Sequence, residues 1–406
     1  MKTKHIIIYT FQSLEDPLVK GLILEYLKTN NSGETKMMFH LITHEQKEFS
    51  LAETEIANKK AELAEHNIEW YPVKYLSGSF ILIKKVINFI QTFFTALKIK
   101  TRFKPVAIVG FLSIAGGFSY MLAKIFRLKL IVYCFEPHSD YMIDFGIWKP
   151  SGLNYKLLKK FELLQIKHAD HIVVPNHHTK KYIENYRKDS AIYICPISIN
   201  TTAMTFDAEA RKRIRSNLKA GERTVIIYTG KFGGIYYSSD EVIGFFSQLY
   251  TKQRDLFFYI ITPNIAEISN SITKYRLPAD AVHVSLTVPY DELHQHVSAA
   301  DIGFVALPSL PSQIYRTPVK TAIYLSCGLP YIVNKNIAED DVIALENNVG
   351  VVIENLDEDP SGVVHKINTL LKTEPAQLHR RCRNIAVNTR SIGSANAILN
   401  KLFSQL

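Results

Sequence analysis

Cysteine is scarce in this sequence: Cys134, Cys195, Cys327 and Cys382 are the only four thiols among 406 residues. Their spacing fits neither a metal knuckle nor a disulfide framework, which points to a reducing compartment. Long uncharged apolar runs are also missing, so no stretch reads as a membrane span. The apolar run that follows MKTK is short and gives way at once to SLED (13–16), so it reads as a first β-strand and not as a secretory leader. There is no low-complexity tract. Acid is missing from one long stretch: no Asp or Glu occurs between Glu69 and Glu136, while ten Lys and Arg do.

What is present is an ordinary globular composition, 47% apolar and 21% charged, in a chain too long for one core. Two domains follow. The net charge of +10 is uneven: residues 1–200 hold 27 basic against 18 acidic side chains, and the remainder holds 21 against 20. Within the acid-free gap, residues 80–104 have helical periodicity. Lys84, Asn88, Gln91, Thr95, Lys98 and Arg102 share one face; Ile83, Val86, Ile87, Ile90, Phe93, Phe94 and Leu97 fill the rest. Such a helix can lie on an anionic membrane surface, or pack on its own sheet with a solvated basic edge. No nucleic-acid module is recognisable, so nucleic acid is not expected as a partner.

Apolar strand-like segments alternate with helical ones throughout. In the first half they fall at 5–10, 36–43, 68–73, 106–111, 129–135, 171–176 and 191–196. After a linker at 197–205 they recur at 224–230, 256–262, 281–286, 301–307, 329–334 and 349–354. This is the pattern of an α/β protein with two doubly wound, Rossmann-like parallel sheets in tandem. Ligands of such sheets bind beyond the carboxyl ends of the strands, and a cleft between two facing domains is the expected site.

Two strand–helix junctions of the second half carry phosphate-binding features. TPVKTAIYLSCGLPYIVNK (317–335) reads as a helix with Thr317 as N-cap, Pro318 at its first position and Lys320 in its first turn, beside unpartnered backbone N–H groups. A surface lysine on an ordinary connection gives the same string. YTGKFGGIYYSSDE (228–241) ends a strand in a glycine-rich turn. Gly230, Gly233 and Gly234 allow close approach of an anion, and Lys231 adds charge. It is neither a Walker loop nor GxGxxG; a tight turn alone also uses glycine. In the first half, Glu136, His138, Asp140 and Asp144 follow a strand and could polarise a hydroxyl or accept a proton, or simply serve as loop caps. Asp357 and Asp359 form a DxD string, better explained as capping of a helix at 363–372.

On these segments the chain resembles retaining glycosyltransferases of the GT-B fold, family-4 type. The matching text is SLEDPLVKGLILEYLK (13–28), TGKFGGIYYSSDE (229–241) and TPVKTAIYLSCGLP (317–330), with HADHIVVPN, ICPISIN and SAADIGFVALPS in the same order. The resemblance implies GT-B architecture. An acceptor-binding domain would span 1–199, with a C-terminal helix at 384–406 crossing back to it, and a donor-binding domain would span 200–383. It implies a nucleotide-sugar donor and a lipid-linked or surface-glycan acceptor, transfer with retention, and no metal or other cofactor.

By the same resemblance Glu136, His138, Lys231 and Lys320 are candidate catalytic residues. Gly230, Lys231, Phe232, Gly233, Leu286, Val288, Pro289, Tyr290, Thr317, Lys320 and Tyr324 are candidate donor contacts. Gln12, Ser13 and Asp140 are candidates on the acceptor side. Two departures stand out. Ile323 occupies the place of the carboxylate that holds the donor ribose in the family, with Tyr315 at the place of a second Glu. Glu136 aligns with the family histidine, and His138 lies two residues on. A catalytically silent GT-B protein is therefore the alternative, and a sugar-nucleotide epimerase a third reading. The expected location is cytoplasmic, peripheral at the inner face of the cell membrane.

Overall fold

The protein, seen in a computed structural model, is described over residues 3–29, 36–76, 78, 80–134, 136–188 and 191–406. It divides into two compact units: one of Met1–Pro196 with Ile392–Leu406, the other of Ile197–Ser391.

The first unit holds seven strands: β1 (Thr3–Thr10), β2 (Lys36–Glu45), β3 (Ile68–Lys74), β4 (Ala107–Phe111), β5 (Lys129–Tyr133), β6 (His171–Val174) and β7 (Ile192–Ile194). They pair in the order β3-β2-β1-β4-β5-β6-β7, all parallel. The second holds β8 (Thr224–Thr229), β9 (Leu256–Ile261), β10 (Val282–Ser285), β11 (Ile302–Val305), β12 (Tyr331–Asn334) and β13 (Gly350–Ile353). Their order, β10-β9-β8-β11-β12-β13, is again all parallel. Each segment expected to be a strand is one. Both orders reverse direction once, between β1 and β4 and between β8 and β11, the switch points where such sheets bind ligands.

The apolar runs form strands because both faces of each sheet are covered. Alternate residues of β8 and β9 enter opposite cores: Val225, Ile227, Phe257 and Tyr259 one, Ile226, Tyr228, Phe258 and Ile260 the other. Every one of these side chains is at most 2% exposed, so a slip of one residue would exchange the two cores wholesale.

The C-terminal crossing is shorter than the expected 384–406. The helix Pro375–Thr389 stays with the second unit, where Cys382 and Ala386 are fully buried in its core. Only the helix Ile392–Ser404 joins the first unit, setting Leu399, Leu402 and Phe403 against Ile8, Tyr26, Ile131 and Val173. Burial of such side chains stabilises by roughly 1.5–3 kcal/mol each. The break between the helices falls at Arg390, which is held in the second unit by a buried ion pair with Asp340. Its carbonyl accepts from the N–H of Ile199 at 2.8 Å.

Candidate functional site

In the second unit the residues at the switch point converge. β8 ends at Thr229, and Gly230 follows with φ 141°, a conformation L side chains rarely adopt. A β-carbon at Gly230 would come 2.7 Å from the Lys320 Nζ and 2.9 Å from its Cε. The glycine turn and the lysine therefore make one feature. Gly233 and Gly234, at φ 76° and 63°, turn the chain onward in the left-handed region. The next helix, Ser239–Lys252, opens on a Ser238–Glu241 capping box.

Lys320 is the second residue of the helix Val319–Ser326. Its ammonium lies 3.5 Å from the Tyr228 hydroxyl, 4.5 Å from the centre of the Tyr228 ring and 5.0 Å from that of Tyr236. Arg316 donates to the Tyr236 hydroxyl at 3.0 Å and lies 5.0 Å from the same ring. Part of the lysine side chain touches solvent, but protein packs densely around the ammonium. Burial first, and the Arg316 charge second, lower its pKa to about 7. Two cations on one tyrosine, one of them poised between charged and neutral, make a place where an incoming anion gains most.

The neighbouring turn is firm. The Tyr228 hydroxyl donates to the Lys231 carbonyl at 2.5 Å, and Phe232 is buried against the Tyr228 ring, centroids 4.7 Å apart. The Phe232 N–H donates to Asn264 Oδ1 at 3.2 Å. The Lys231 side chain is exposed. Beyond β10, Leu286 and Pro289 are exposed, while Val288 and Tyr290 are half-buried against the core.

Several expectations need correction. Thr317 is not the helix cap: Pro318 holds that place with extended ψ, the helix starts at Val319, and no side chain caps it. Thr317 is itself nearly buried. Tyr324 stands behind the strand end, its hydroxyl in hydrogen-bond reach of Thr229, the residue before Gly230. The tyrosine is fully buried, its hydroxyl donates to the Phe304 carbonyl at 3.4 Å, and its ring fills the space a β-carbon on Gly303 would need. Ile323 is buried in the core, and Tyr315 ends a short 3-10 helix, Pro311–Tyr315. Asp359 accepts from the N–H groups of Ser361 and Gly362, so the DxD string caps the helix Pro360–Leu371.

In the first unit, Glu136 and His138 come together at the carboxyl end of β5, with Nδ1 and Oε1 3.4 Å apart and both side chains partly exposed. The preceding Phe135 lies outside the described residues. Asp140 is taken up by structure: it pairs with Lys159 at 2.5 Å and accepts from the Tyr155 and Tyr182 hydroxyls. Ser13 is a brace, fully buried, donating to the His44 carbonyl at 3.2 Å and accepting from the Gln46 N–H at 2.7 Å. Gln12 Oε1 accepts from Thr10 at 2.5 Å.

Sequence reasoning missed Tyr228, Tyr236 and Arg316. Arg316 precedes the helix in extended backbone, so no helical spacing marked it. It also missed Glu162, a buried carboxylate that accepts from the Ser139 N–H at 3.0 Å and from the Ser139 hydroxyl. Burial raises its pKa against the pull of those bonds. This carboxylate fixes the start of the helix His138–Asp144, and hence the place of His138.

Residues 279–400 match the family described as Glucosyltransferase 3-like, C-terminal domain. No curated protein sequence matches the chain. Among solved structures, sucrose-phosphate synthase from Thermosynechococcus elongatus superposes with a TM-score of 0.73 at 13% identity, over 99% of this chain and 98% of that one. HepE of Anabaena in complex with UDP gives 0.71 at 12%, over 99% and 100%. The fold is GT-B. A glycosyltransferase from Rickettsia africae shares it at 0.70 and 12%, over 100% of this chain and 99% of that one. The Gly230–Lys320 pair sits at the carboxyl-end switch point of the second GT-B unit.

Proposed function

We propose that the protein is a glycosyltransferase that moves a sugar from a nucleoside-diphosphate donor to a lipid-linked or surface-glycan acceptor, with retention and without a metal. The carrying observation is the Gly230–Lys320 contact with Tyr228, Tyr236 and Arg316 around it. Breaking a sugar–phosphate bond leaves growing negative charge on the departing diphosphate. Fixed cations at that point stabilise it more than they stabilise the donor, which is the condition for catalysis. The bare backbone of Gly230 leaves room for the ammonium itself at the strand end. The UDP- and UDP-glucose-bound states of HepE and the Glucosyltransferase 3-like match support a nucleotide-sugar donor. Retention rests on the family-4 likeness of the motifs. In the first unit the Glu136–His138 pair would orient or deprotonate the acceptor hydroxyl. The acid-free basic stretch supports work at the inner face of the cell membrane, in polysaccharide assembly.

Lys320→Ala tests the reading. Turnover falls at least about a hundredfold while the unfolding temperature holds; unchanged kinetics would sink the assignment.

A silent GT-B protein is the second reading, favoured by Ile323, whose burial in the core leaves no carboxylate at that position. Thermal shift across a panel of nucleotide sugars separates the two. Stabilisation with release of nucleoside diphosphate on adding acceptor supports transfer; stabilisation by none of them supports the silent protein.

A further inference from the structure

The helix Ile81–Phe103 is packed inside out for a water-facing element. Its inward side carries Asn88, Thr92, Ala96 and Ile99, all fully buried. Asn88 accepts from the Leu76 N–H at 3.1 Å and donates to its carbonyl at 3.2 Å, bracing the loop after β3. Thr92 bonds His44 at 2.9 Å and the Asn88 carbonyl at 2.9 Å. Two of the inward places are thus polar, while a row of apolar side chains is left outside. Phe80, Ile83, Val86, Ile87, Ile90 and Phe94 form a stripe with exposures from 39% at Ile87 to 79% at Phe80. At 1.5 Å per residue it runs about 21 Å. Scattered exposed apolar residues need no explanation, but a continuous row of six marks an interaction face.

The charge around the stripe selects the occupant. Lys98 and Arg102 are exposed farther along the same helix, and Lys104 just after its end. The helix Ser113–Phe126 packs beside it through Phe126, whose ring stacks on Phe93 at 5.4 Å, and it adds exposed Lys124 and Ile125, with Arg127 just after. Neither helix contains an acidic residue. A second copy docked on the stripe would set two basic rows against each other with no carboxylate between them. Among the described residues no helix is long and apolar enough to cross a membrane, so a bilayer would be met in its plane.

We propose that this face seats the protein on an anionic bilayer, the stripe entering the boundary between headgroups and acyl chains and the lysines and arginines resting on the lipid phosphates. The inference specifies the membrane end of the function proposed above and rests on that reading only for what it brings near the acceptor.

Co-sedimentation of the full chain with vesicles of phosphatidylcholine, alone or mixed with phosphatidylglycerol, is the test. Partitioning to the mixed vesicles, weakened by salt, is expected. The double variant Ile83→Asp/Phe94→Asp should partition at least about tenfold less while keeping the parent's unfolding temperature, since both positions are exposed. Lys98→Glu/Arg102→Glu should erase the preference for phosphatidylglycerol. Equal partitioning of parent and variants, or none by the parent, overturns the proposal. So does a parent dimer that Ile83→Asp/Phe94→Asp splits without any vesicle binding, which assigns the face to a second copy. Donor-induced thermal shift without vesicles keeps the two ideas apart. Vesicle binding with no donor shift leaves the docking face standing and removes the transferase; a donor shift with no vesicle binding does the reverse.

Discussion

The backbone of Gly230 lies against the ammonium of Lys320, so closely that a β-carbon would stand 2.7 Å from the nitrogen. Gly230→Ala must therefore push the lysine aside and hold alanine at φ 141°. Steady-state kinetics should show kcat/KM for the donor reduced at least about tenfold, a loss of about 1.4 kcal/mol of transition-state stabilisation. The stability cost should be about 1–3 kcal/mol, since alanine is held in a backbone region that suits only glycine. A variant with parental kcat/KM would mean that the lysine has no fixed place in the reaction.

Lys320 should be worth more to activity than to the fold, with opposite signs. Its folded pKa of about 7 lies far below the ordinary 10.5. The unfolded chain therefore binds more protons than the folded one between those values, and stability rises with pH through that window. At pH 7 and below, nearly the full cost of burying the charge is present. Lys320→Met should raise stability at pH 7 by on the order of 2 kcal/mol in denaturant titration, while turnover collapses. A less stable Lys320→Met protein would show that the ammonium already has a favourable partner in the free protein.

Donor binding should take up a proton. A diphosphate beside Lys320 favours its charged form and raises its pKa from about 7. At pH 8 the lysine is mostly neutral in the free protein and charged in the complex; at pH 6 it is charged in both. Calorimetry in buffers of different ionisation enthalpy should find uptake approaching one proton at pH 8 and little at pH 6, with affinity falling as pH rises above 7. Uptake that persists in Lys320→Met would assign the proton to another group.

The central strands were legible because they are buried on both faces, as β4 and β9 are throughout, and a continuous apolar run between polar connections has few other uses. Gly230 and Lys320 were legible as separate phosphate-type junctions. Their contact was not, since it depends on how the turn after β8 directs the chain. Ser13 and Asp140 were misread for a common reason. Polar side chains near strand ends also satisfy loop backbone and one another, and Ser13 does the first, Asp140 the second. Tyr324 lies four residues after Lys320 but is fully buried, facing Gly303 in the core. Glu162 carried no signal, being 23 residues from the Ser139 it holds.

Arg390 and Asp340 pair in the core of the second unit, 3% and 0% exposed, with Thr321 donating to the same carboxylate at 2.6 Å. Burial raises the Asp340 pKa, although the arginine and threonine pull against that rise. Removing only the cation strands a buried carboxylate. Arg390→Met should cost about 3–5 kcal/mol in chemical denaturation. Adding Asp340→Asn should recover part of that loss, because the charge left behind is then gone. Additive losses from the two changes would show that the pair is not coupled.

Ile323 offers a sharper test of the missing ribose contact. In family-4 sequences that this chain resembles, a carboxylate stands there; here the side chain is 5% exposed within a core cluster that includes Ala322, Leu325 and Val333. If the isoleucine were merely a lost glutamate, Ile323→Glu would improve donor affinity at little cost. The surroundings argue otherwise, because a carboxylate placed in apolar packing loses its hydration. Ile323→Glu should destabilise the second unit by about 3 kcal/mol or more and leave donor affinity no better than in the parent. Ile323→Val, which keeps the site apolar, should cost only about 1 kcal/mol and leave kcat/KM unchanged. A stable Ile323→Glu protein that binds the nucleotide sugar more tightly would show that the helix can turn this position toward the ligand.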